Sequence, residues 1–220
     1  MNNKPKKQSN LNKTLFSLLV LMSIAISGKA ATDDSKYLAG AVPEDNGIVT
    51  FKKTFSVQGK SAEVVRETMR QFVNDLVDKS IPAPGNYAGV MQDNDEEGIV
   101  ARCCEWMVFK KKPMYLDRTR FRYKIQAKTE GNRVSIVINT ITYYYDEDME
   151  TQNGVIIKAE NWISDSEALN KAKTKLYPKS GKFRRKTVDR IEEIFNQAMD
   201  AFVEKPQPST QPTRNGIIVE

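Results

Sequence analysis

Residues 114–145 decide the fold, and they read MYLDRTRFRYKIQAKTEGNRVSIVINTITYYY. Two long runs of alternating apolar and polar residues flank Gly131-Asn132. This pair suits a tight turn, because both residue types tolerate positive φ. The flanking runs suit strands, because side chains along a strand alternate between its two faces. The stretch therefore predicts a β-hairpin in which Glu130 pairs with Arg133.

The first arm of the hairpin sorts its side chains onto two faces. One face takes the mostly apolar residues Tyr115, Thr119, Phe121, Tyr123, Ile125 and Ala127. The other takes the basic residues Arg118, Arg120, Arg122, Lys124 and Lys128. Because a strand turns successive side chains to opposite sides, the pattern predicts a sheet with one buried face and one basic face. We call the second the open face.

Further periodic runs surround the hairpin. Alternating residues predict strands at 48–57, 87–92 and 99–109. Helical spacing predicts long helices from Ser61 to about residue 79 and over 183–203, and a short helix from the capping-box pattern at 164–167 to about residue 175. The element order β-α-β-β-β-β-α, with mostly short turns, predicts an α+β fold. In it, one five-stranded antiparallel sheet carries both long helices on its buried face.

The two ends of the chain do not look like parts of this domain. Residues 1–30 combine lysines, an apolar run of 12 residues at 15–26 and then small residues, which predicts a signal peptide cleaved near Ala30. The run is too short to cross a bilayer core, although cleavage after Ser27 or an uncleaved anchor stays open. We expect a linker at 31–47, a single domain at 48–203 and a flexible tail at 204–220, in a periplasmic or secreted protein.

Composition excludes several classes of function. Removing residues 1–30, which hold five lysines and no acid, lowers the formal charge from +6 to +1, so a globally basic nucleic-acid binder is not supported. The chain has no histidine, which excludes histidine-based catalytic triads and histidine-ligated zinc. We expect Cys103 and Cys104 to be free, the first buried and the second at least half exposed. No catalytic residue, metal site or cofactor is predicted.

The register of the hairpin predicts what the open face carries. Counted from the turn, Ile125 lies opposite Ile138 and Arg122 opposite Ile141. The candidate binding residues are Arg102, Trp106, Arg118, Arg120, Arg122, Lys124, Tyr143 and Tyr145. Arginines and aromatic rings together suit an anion or a stacked ring. Two alternatives stay open: a merely solvated sheet face, or a face covered by residues 161–186.

A second basic cluster stands at the start of the last helix. Lys182, Arg184 and Arg185 lie where positive charge opposes the helix dipole, so helix stability does not explain them. They are a weaker candidate for an anion site, and a solvated helix entrance is the alternative.

Several short motifs together carry a resemblance to one family. They are 37–43 (YLAGAVP), 116–120 (LDRTR), Trp162-Ile163 followed by 168–171 (ALNK), and 181–189 (GKFRRKTVD). With them, residues 37–200 resemble the domain-of-unknown-function family with a TBP-like fold, found in exported proteins of Bacteroides-type Gram-negative bacteria. The resemblance implies a curved antiparallel sheet with two helices on one side. It implies no activity and supplies no catalytic residues.

These observations together predict an exported cell-envelope protein. We expect a non-catalytic binding module whose open face contacts an envelope protein, an anionic glycan or a lipid headgroup, with nucleic acid disfavoured as a partner. The alternative is an enzyme or processing factor that acts on an envelope glycan or lipid.

Overall fold

A computed structural model describes residues 33–83, 87–145 and 154–203 of the chain. In these residues, six strands form one antiparallel sheet and two more form a small separate hairpin. The strands are β1 (Glu44–Asp45), β2 (Ile48–Val49), β3 (Phe51–Ser56), β4 (Gly89–Asn94), β5 (Gly98–Lys112), β6 (Tyr115–Glu130), β7 (Arg133–Tyr145) and β8 (Val155–Lys158). The helices are α1 (Ala62–Asp78), α2 (Asp165–Ala168), α3 (Pro178–Asp200) and a single 3-10 turn at Ser35–Tyr37.

The sheet is built around the predicted hairpin. Its strands lie in the order β3-β7-β6-β5-β4, and β8 pairs with the end of β7 beyond the β3 ladder. The α+β fold with antiparallel neighbours is confirmed, but the sheet has six strands and not five. The sixth is β8, a segment for which the sequence predicted no strand. It has only four residues, and Val155 and Ile156 are about 60% exposed, so no alternating pattern marked it.

Helix α1 follows the sequence pattern closely. Ser61 caps it, with its hydroxyl accepting a hydrogen bond from the Val64 amide at 3.3 Å. The stripe predicted to face the core is the one that is buried: Val65, Met69, Phe72, Val73 and Leu76. Periodicity alone therefore located both the helix and its packing face.

The C-terminal helices differ in length from the prediction. Helix α3 begins at Pro178, five residues before the predicted start, because proline at the first helical position needs no hydrogen-bond partner for nitrogen. Helix α2 stops at Ala168, and the Ser164 side chain makes no capping bond. The capping-box pattern thus predicted the position of α2 but overestimated its length.

A β-bulge in β7 changes which tyrosines face the helices. Lys124 pairs with Asn139 but Arg122 pairs with Thr142, so β7 has one more residue than β6 between these two pairs. Thr140, with a φ of +54°, lies inside this bulge. Even-numbered residues of β7 face the core before the bulge, and odd-numbered residues face it afterwards.

Beyond the bulge the predicted register is wrong by one residue. Ile125 does lie opposite Ile138, but Arg122 meets Thr142 and not Ile141. Tyr143 consequently points to the core and Tyr144 to the open face.

Some predictions concern residues that the structure does not describe. The signal peptide at 1–30 and the tail at 204–220 lie outside the described residues. The predicted linker at 31–47 is partly built into the domain, since it contains β1 and Val42 is buried in the core. No helix among the described residues is both long and apolar enough to cross a bilayer.

Candidate anion-binding face

The open face collects basic side chains from two adjacent strands. Arg102 of β5 pairs with Lys124 of β6, and along the same ladder Cys104, Trp106 and Val108 lie opposite Arg122, Arg120 and Arg118. Like charges placed directly opposite each other destabilise a sheet, so the stability of the fold does not explain the Arg102–Lys124 pair. The predicted clustering of these basic residues and Trp106 on one face is what the ladder shows.

Two arginines use the Trp106 ring as a platform. The guanidinium carbon of Arg118 lies 3.6 Å from the ring centroid, and that of Arg120 lies 4.8 Å from it. Arg120 also donates a short hydrogen bond to the carbonyl oxygen of Pro82. The ring therefore holds two cations in fixed positions on the half-exposed part of the face.

Arg122 lies deeper and between two rings. Its guanidinium carbon is 5.1 Å from the Tyr87 centroid and 5.0 Å from the Tyr144 centroid, and the residue is only 8% exposed. Among the described residues, Nε and Nη2 of Arg122 are buried and have no hydrogen-bond partner. A buried cation with two unmatched donors is rare in folded proteins and is expected where a ligand supplies the acceptors.

The chain after α1 partly covers the open face. The Ile81 amide donates to the Cys104 carbonyl at 2.8 Å, and the Cys104 amide donates to the Ser80 hydroxyl at 3.1 Å. From there the chain supplies Pro82 and Tyr87 to the arginines. The sequence left open a cover by residues 161–186, and this alternative does not hold, because Trp162 packs on Phe183, on the helix side.

This cover also corrects the prediction for Cys104. The residue is fully buried, not half exposed, although it does point to the open face. Burial raises the pKa of its thiol, and the positive charge of Arg122 partly opposes that rise. Cys103 points to the helix side and is buried as predicted, and both cysteines are free.

Comparisons with known proteins place the chain in a family. The profile of the domain of unknown function DUF4468, described as having a TBP-like fold, matches residues 51–144. A crystal structure of a DUF4468 family protein from Bacteroides ovatus ATCC 8483 is 34% identical in sequence, with a TM-score of 0.69, over 82% of this chain and 99% of that chain. The chain belongs to the DUF4468 family.

A second solved structure supports the fold alone. A TBP-like protein from Parabacteroides distasonis ATCC 8503 aligns with a TM-score of 0.58 at 20% identity, over 74% of this chain and 97% of that chain. No curated protein matches the chain in sequence. The predicted family and its TBP-like fold are confirmed, and the DUF4468 description itself assigns no function.

The DUF4468 match begins at the first residue of β3 and ends at Tyr144. The matched residues therefore include both strands that carry the arginine cluster, which consists of Arg102, Arg118, Arg120 and Arg122. They also include Tyr87. The basic run at the start of α3 lies outside it.

Two of the predicted site residues do not reach the open face. Tyr143 is fully buried on the helix side, where its hydroxyl lies 2.7 Å from that of Thr187. Tyr145 donates to Asp117 at 2.9 Å and accepts from Lys182 at 3.0 Å. The prediction that Tyr143 and Tyr145 share the face with the arginines is wrong, because the bulge reverses the alternation.

Two residues of the site were missed by sequence reasoning. Tyr144 is the aromatic residue that the bulge turns to the open face, and three consecutive tyrosines give no hint which one it is. Tyr87 arrives through a chain reversal that no periodic pattern encodes. The neighbouring strands predicted at 87–92 and 99–109 were the sign that this part of the chain returns to β5.

The basic residues of the predicted second anion site, at the start of α3, interact with other residues of the protein. Arg184 is fully buried and binds Asp165, and Lys182 binds the Asp117 carboxylate at 2.8 Å. Arg185 also interacts within the protein. The structure therefore contradicts this site for Lys182 and Arg184, whose charges stabilise the fold.

Carboxylates of the sheet are likewise engaged on the helix side. Glu105 lies 2.8 Å from Arg190 of α3, and Asp117 lies 2.8 Å from Lys182. Among the described residues, no group of three or more acidic or cysteine side chains could hold a metal ion. The described chemistry of the open face is thus that of cations and aromatic rings.

Proposed function

We propose that this DUF4468 protein is an exported, non-catalytic binding module whose open face holds an anionic group of a cell-envelope partner. The partner is an envelope protein, an anionic glycan or a lipid headgroup. The group that these three share is a carboxylate or a phosphate, which the planar guanidinium fork binds with two parallel hydrogen bonds.

The state of Arg122 carries the proposal. Removing a charged group from water is costly, and hydrogen bonds or a counter-ion normally repay that cost. At Arg122 two aromatic rings offset part of this desolvation cost, and Nε and Nη2 have no acceptor among the described residues. An anion in the plane of this guanidinium would satisfy both donors.

The surroundings of Arg122 favour an anion in the same way. Arg102, Arg118, Arg120 and Lys124 all flank it on the same face. The repulsion among these four cations falls when a negative group binds between them, which makes the free energy of binding more favourable.

The alternative, an enzyme acting on an envelope glycan or lipid, needs carboxylates free to exchange protons. Glu105 and Asp117 are both held in ion pairs with α3. Glu63, Asp93 and Asp95, which line a cleft beside α1, are held by its arginines in the same manner. No specific observation in the described residues favours this alternative.

The proposal is tested by titrating minimal anions into the protein. Among the described residues, the buried core lies between Val42 and Ala198, so a chain that begins at Ala31 keeps all of this core. In ¹⁵N NMR of the arginine side chains, inorganic phosphate, acetate and polygalacturonate should shift the Arg122 Nε–H signal in a saturable way. Arg122→Gln should abolish saturable binding.

Arg133→Gln is the matched control, because it removes the same charge from an exposed position beside the hairpin turn. It should leave the affinity within about twofold, as expected for an exposed, screened charge. Equal loss in both variants, or shifts spread evenly over all arginines, would mean that anions respond to net charge and not to this site.

Export is tested separately. The protein recovered from the envelope fraction of the producing cells should begin near Ala31 when its N-terminus is sequenced, as cleavage of a signal peptide requires. An intact N-terminus on protein that stays in the cytoplasmic fraction would refute export and leave the anion titration unaffected.

A further inference from the structure

The hairpin of β5 and β6 extends beyond the strands beside it. Strand β4 pairs with β5 only as far as Arg102, and β7 pairs with β6 only from Thr119 onwards. We call residues 110–116, at the end of this hairpin, the tip. Within the described parts of the chain, the tip is a two-stranded ribbon that no further strand flanks.

The tip combines exposed apolar side chains with a run of lysines. Met114 is fully exposed, and Tyr115 and Leu116 are about half exposed. The three residues before Pro113 are Lys110, Lys111 and Lys112; all are exposed, and none forms an ion pair with a described residue. Exposed apolar groups in a row, beside lysines that have no ion pair among the described residues, are unusual on a soluble surface and indicate an interaction site.

The turn itself supports this interpretation. Pro113 sets the first turn position, and Met114 takes the second with a φ of +64°. This position is normally filled by glycine or asparagine, which adopt positive φ with little strain. Methionine at this position has a strained backbone and an apolar side chain exposed to water. Neither the stability of the fold nor solubility therefore explains why residue 114 is methionine.

We propose that the tip docks the protein onto an anionic lipid bilayer. Met114, Tyr115 and Leu116 enter the interfacial region end-on, and the three lysines bind lipid phosphates around them. Apolar burial and attraction to anionic headgroups together drive such interfacial binding. Tyrosine suits the boundary because its ring is apolar and its hydroxyl stays hydrated.

The pairing of the tip favours a bilayer over a second copy of the chain. Leu116 lies opposite Lys111, and Tyr115 opposite Lys112, on the two faces of the ribbon. Both of these side chains therefore have a lysine beside them, and two tips placed together would repel. A surface rich in phosphates accepts both groups at once, because lysine stems reach along apolar surface to a polar layer.

Vesicle flotation tests the proposal, with the chain beginning at Ala31. The protein should float with vesicles of phosphatidylglycerol and phosphatidylcholine and not with phosphatidylcholine alone. Lys111→Gln with Lys112→Gln should weaken binding about fivefold per lysine, since each lysine contributes to attraction by an anionic surface. Met114→Asn with Leu116→Thr should weaken it about tenfold or more through lost apolar burial.

Two controls keep the result specific to the tip. Val155→Thr with Ile156→Thr removes apolar surface of similar exposure from β8 and should leave flotation unchanged. Met114→Asn suits the positive φ, so urea unfolding should show a tip variant at least as stable as the parent. Binding of neutral vesicles as well as anionic ones, or an equal loss in the β8 variant, would overturn the proposal.

A fluorescence readout separates docking from self-association. Tyr115→Trp should gain a blue-shifted emission with anionic vesicles, as the ring leaves water. Sedimentation velocity without lipid should show a monomer. A dimer that Met114→Asn with Leu116→Thr dissociates, combined with no flotation, would assign the tip to protein contacts and refute the bilayer. The outcome is independent of the anion titration at Arg122, because the tip variants leave the arginine cluster intact.

Discussion

The two faces of the sheet treat their cations in opposite ways. On the helix side three cations meet carboxylates: Lys182 with Asp117, Arg190 with Glu105 and Arg184 with Asp165, at 2.6 to 2.8 Å. On the open face Arg118 and Arg122 rest on aromatic rings. The same residue types thus form ion pairs on one side and rest on aromatic rings on the other, and only the partners distinguish the two arrangements.

The contrast is sharpest between two buried arginines. Arg184 donates hydrogen bonds of 2.6 Å to the carbonyl oxygens of Tyr37, Leu38 and Ile163 in addition to its ion pair with Asp165. Arg122 is nearly as buried, and two of its nitrogens have no hydrogen-bond partner among the described residues. A methionine in place of each arginine should therefore have very different effects on stability.

The largest effect is expected from Arg184→Met. The change leaves three carbonyl oxygens and a carboxylate without their donor, so the free energy of unfolding should fall by about 3–5 kcal/mol, the usual cost of breaking a buried ion pair. Urea unfolding followed by circular dichroism measures it. A loss below about 1 kcal/mol would show that these contacts are not what holds the N-terminal residues 37–38 to α3.

The next effect is a loss of stability at alkaline pH. Burial raises the pKa of Cys103 from 9.0 to about 12, so the folded state favours the neutral thiol. The stability gained in this way is complete below pH 9 and is lost as pH rises towards 12, by about 1.4 kcal/mol per unit. Cys103→Ala should flatten the fall in unfolding free energy measured between pH 8 and 10.5.

Cys104→Ala is the comparison on the open face. Arg122 stabilises a thiolate there, which opposes the rise in the pKa of Cys104. The second variant should therefore flatten the alkaline slope less than the first. Equal slopes in both variants would indicate that the charge of Arg122 does not act on the thiol.

A smaller effect tests the bulge that divides the tyrosines. Tyr143→Phe removes the hydroxyl that lies 2.7 Å from the hydroxyl of Thr187, so the buried Thr187 hydroxyl loses this partner. The free energy of unfolding should fall by about 1–2 kcal/mol. Tyr144→Phe, on the open face, should cost less than Tyr143→Phe, because a phenyl ring keeps the contact with Arg122. The reverse order of costs would support the unbulged register.

Sequence reasoning succeeded where one local rule applied without interruption. The alternation in β6 runs unbroken from Tyr115 to Glu130, so it placed Arg118, Arg120, Arg122 and Lys124 on the correct face. The helical spacing of α1 fixed its buried stripe in the same way. These signals need no knowledge of distant parts of the chain.

The rest depended on long-range geometry. Thr140 carries the positive φ of the bulge without a glycine to mark it, and one extra residue reversed the faces of Tyr143 and Tyr144. Arg184 and Arg122 look alike in the sequence, because the partners that distinguish them are residues 37–38 and 165 in one case and Tyr87 and Tyr144 in the other. Tertiary contacts, not local pattern, assign such roles.

The smallest effect, and the one that decides the comparison, is expected from Arg122→Met. A methionine keeps apolar contact with Tyr87 and Tyr144 and removes a buried charge that has two unmatched donors. The lost cation–π attraction and the relieved desolvation nearly cancel, so the free energy of unfolding should stay within about 1 kcal/mol of the parent or rise. Urea unfolding of this variant beside Arg184→Met measures the difference directly. If both methionine variants lose 3 kcal/mol or more, Arg122 stabilises the fold as Arg184 does, and the open face no longer has a residue set aside for an anion.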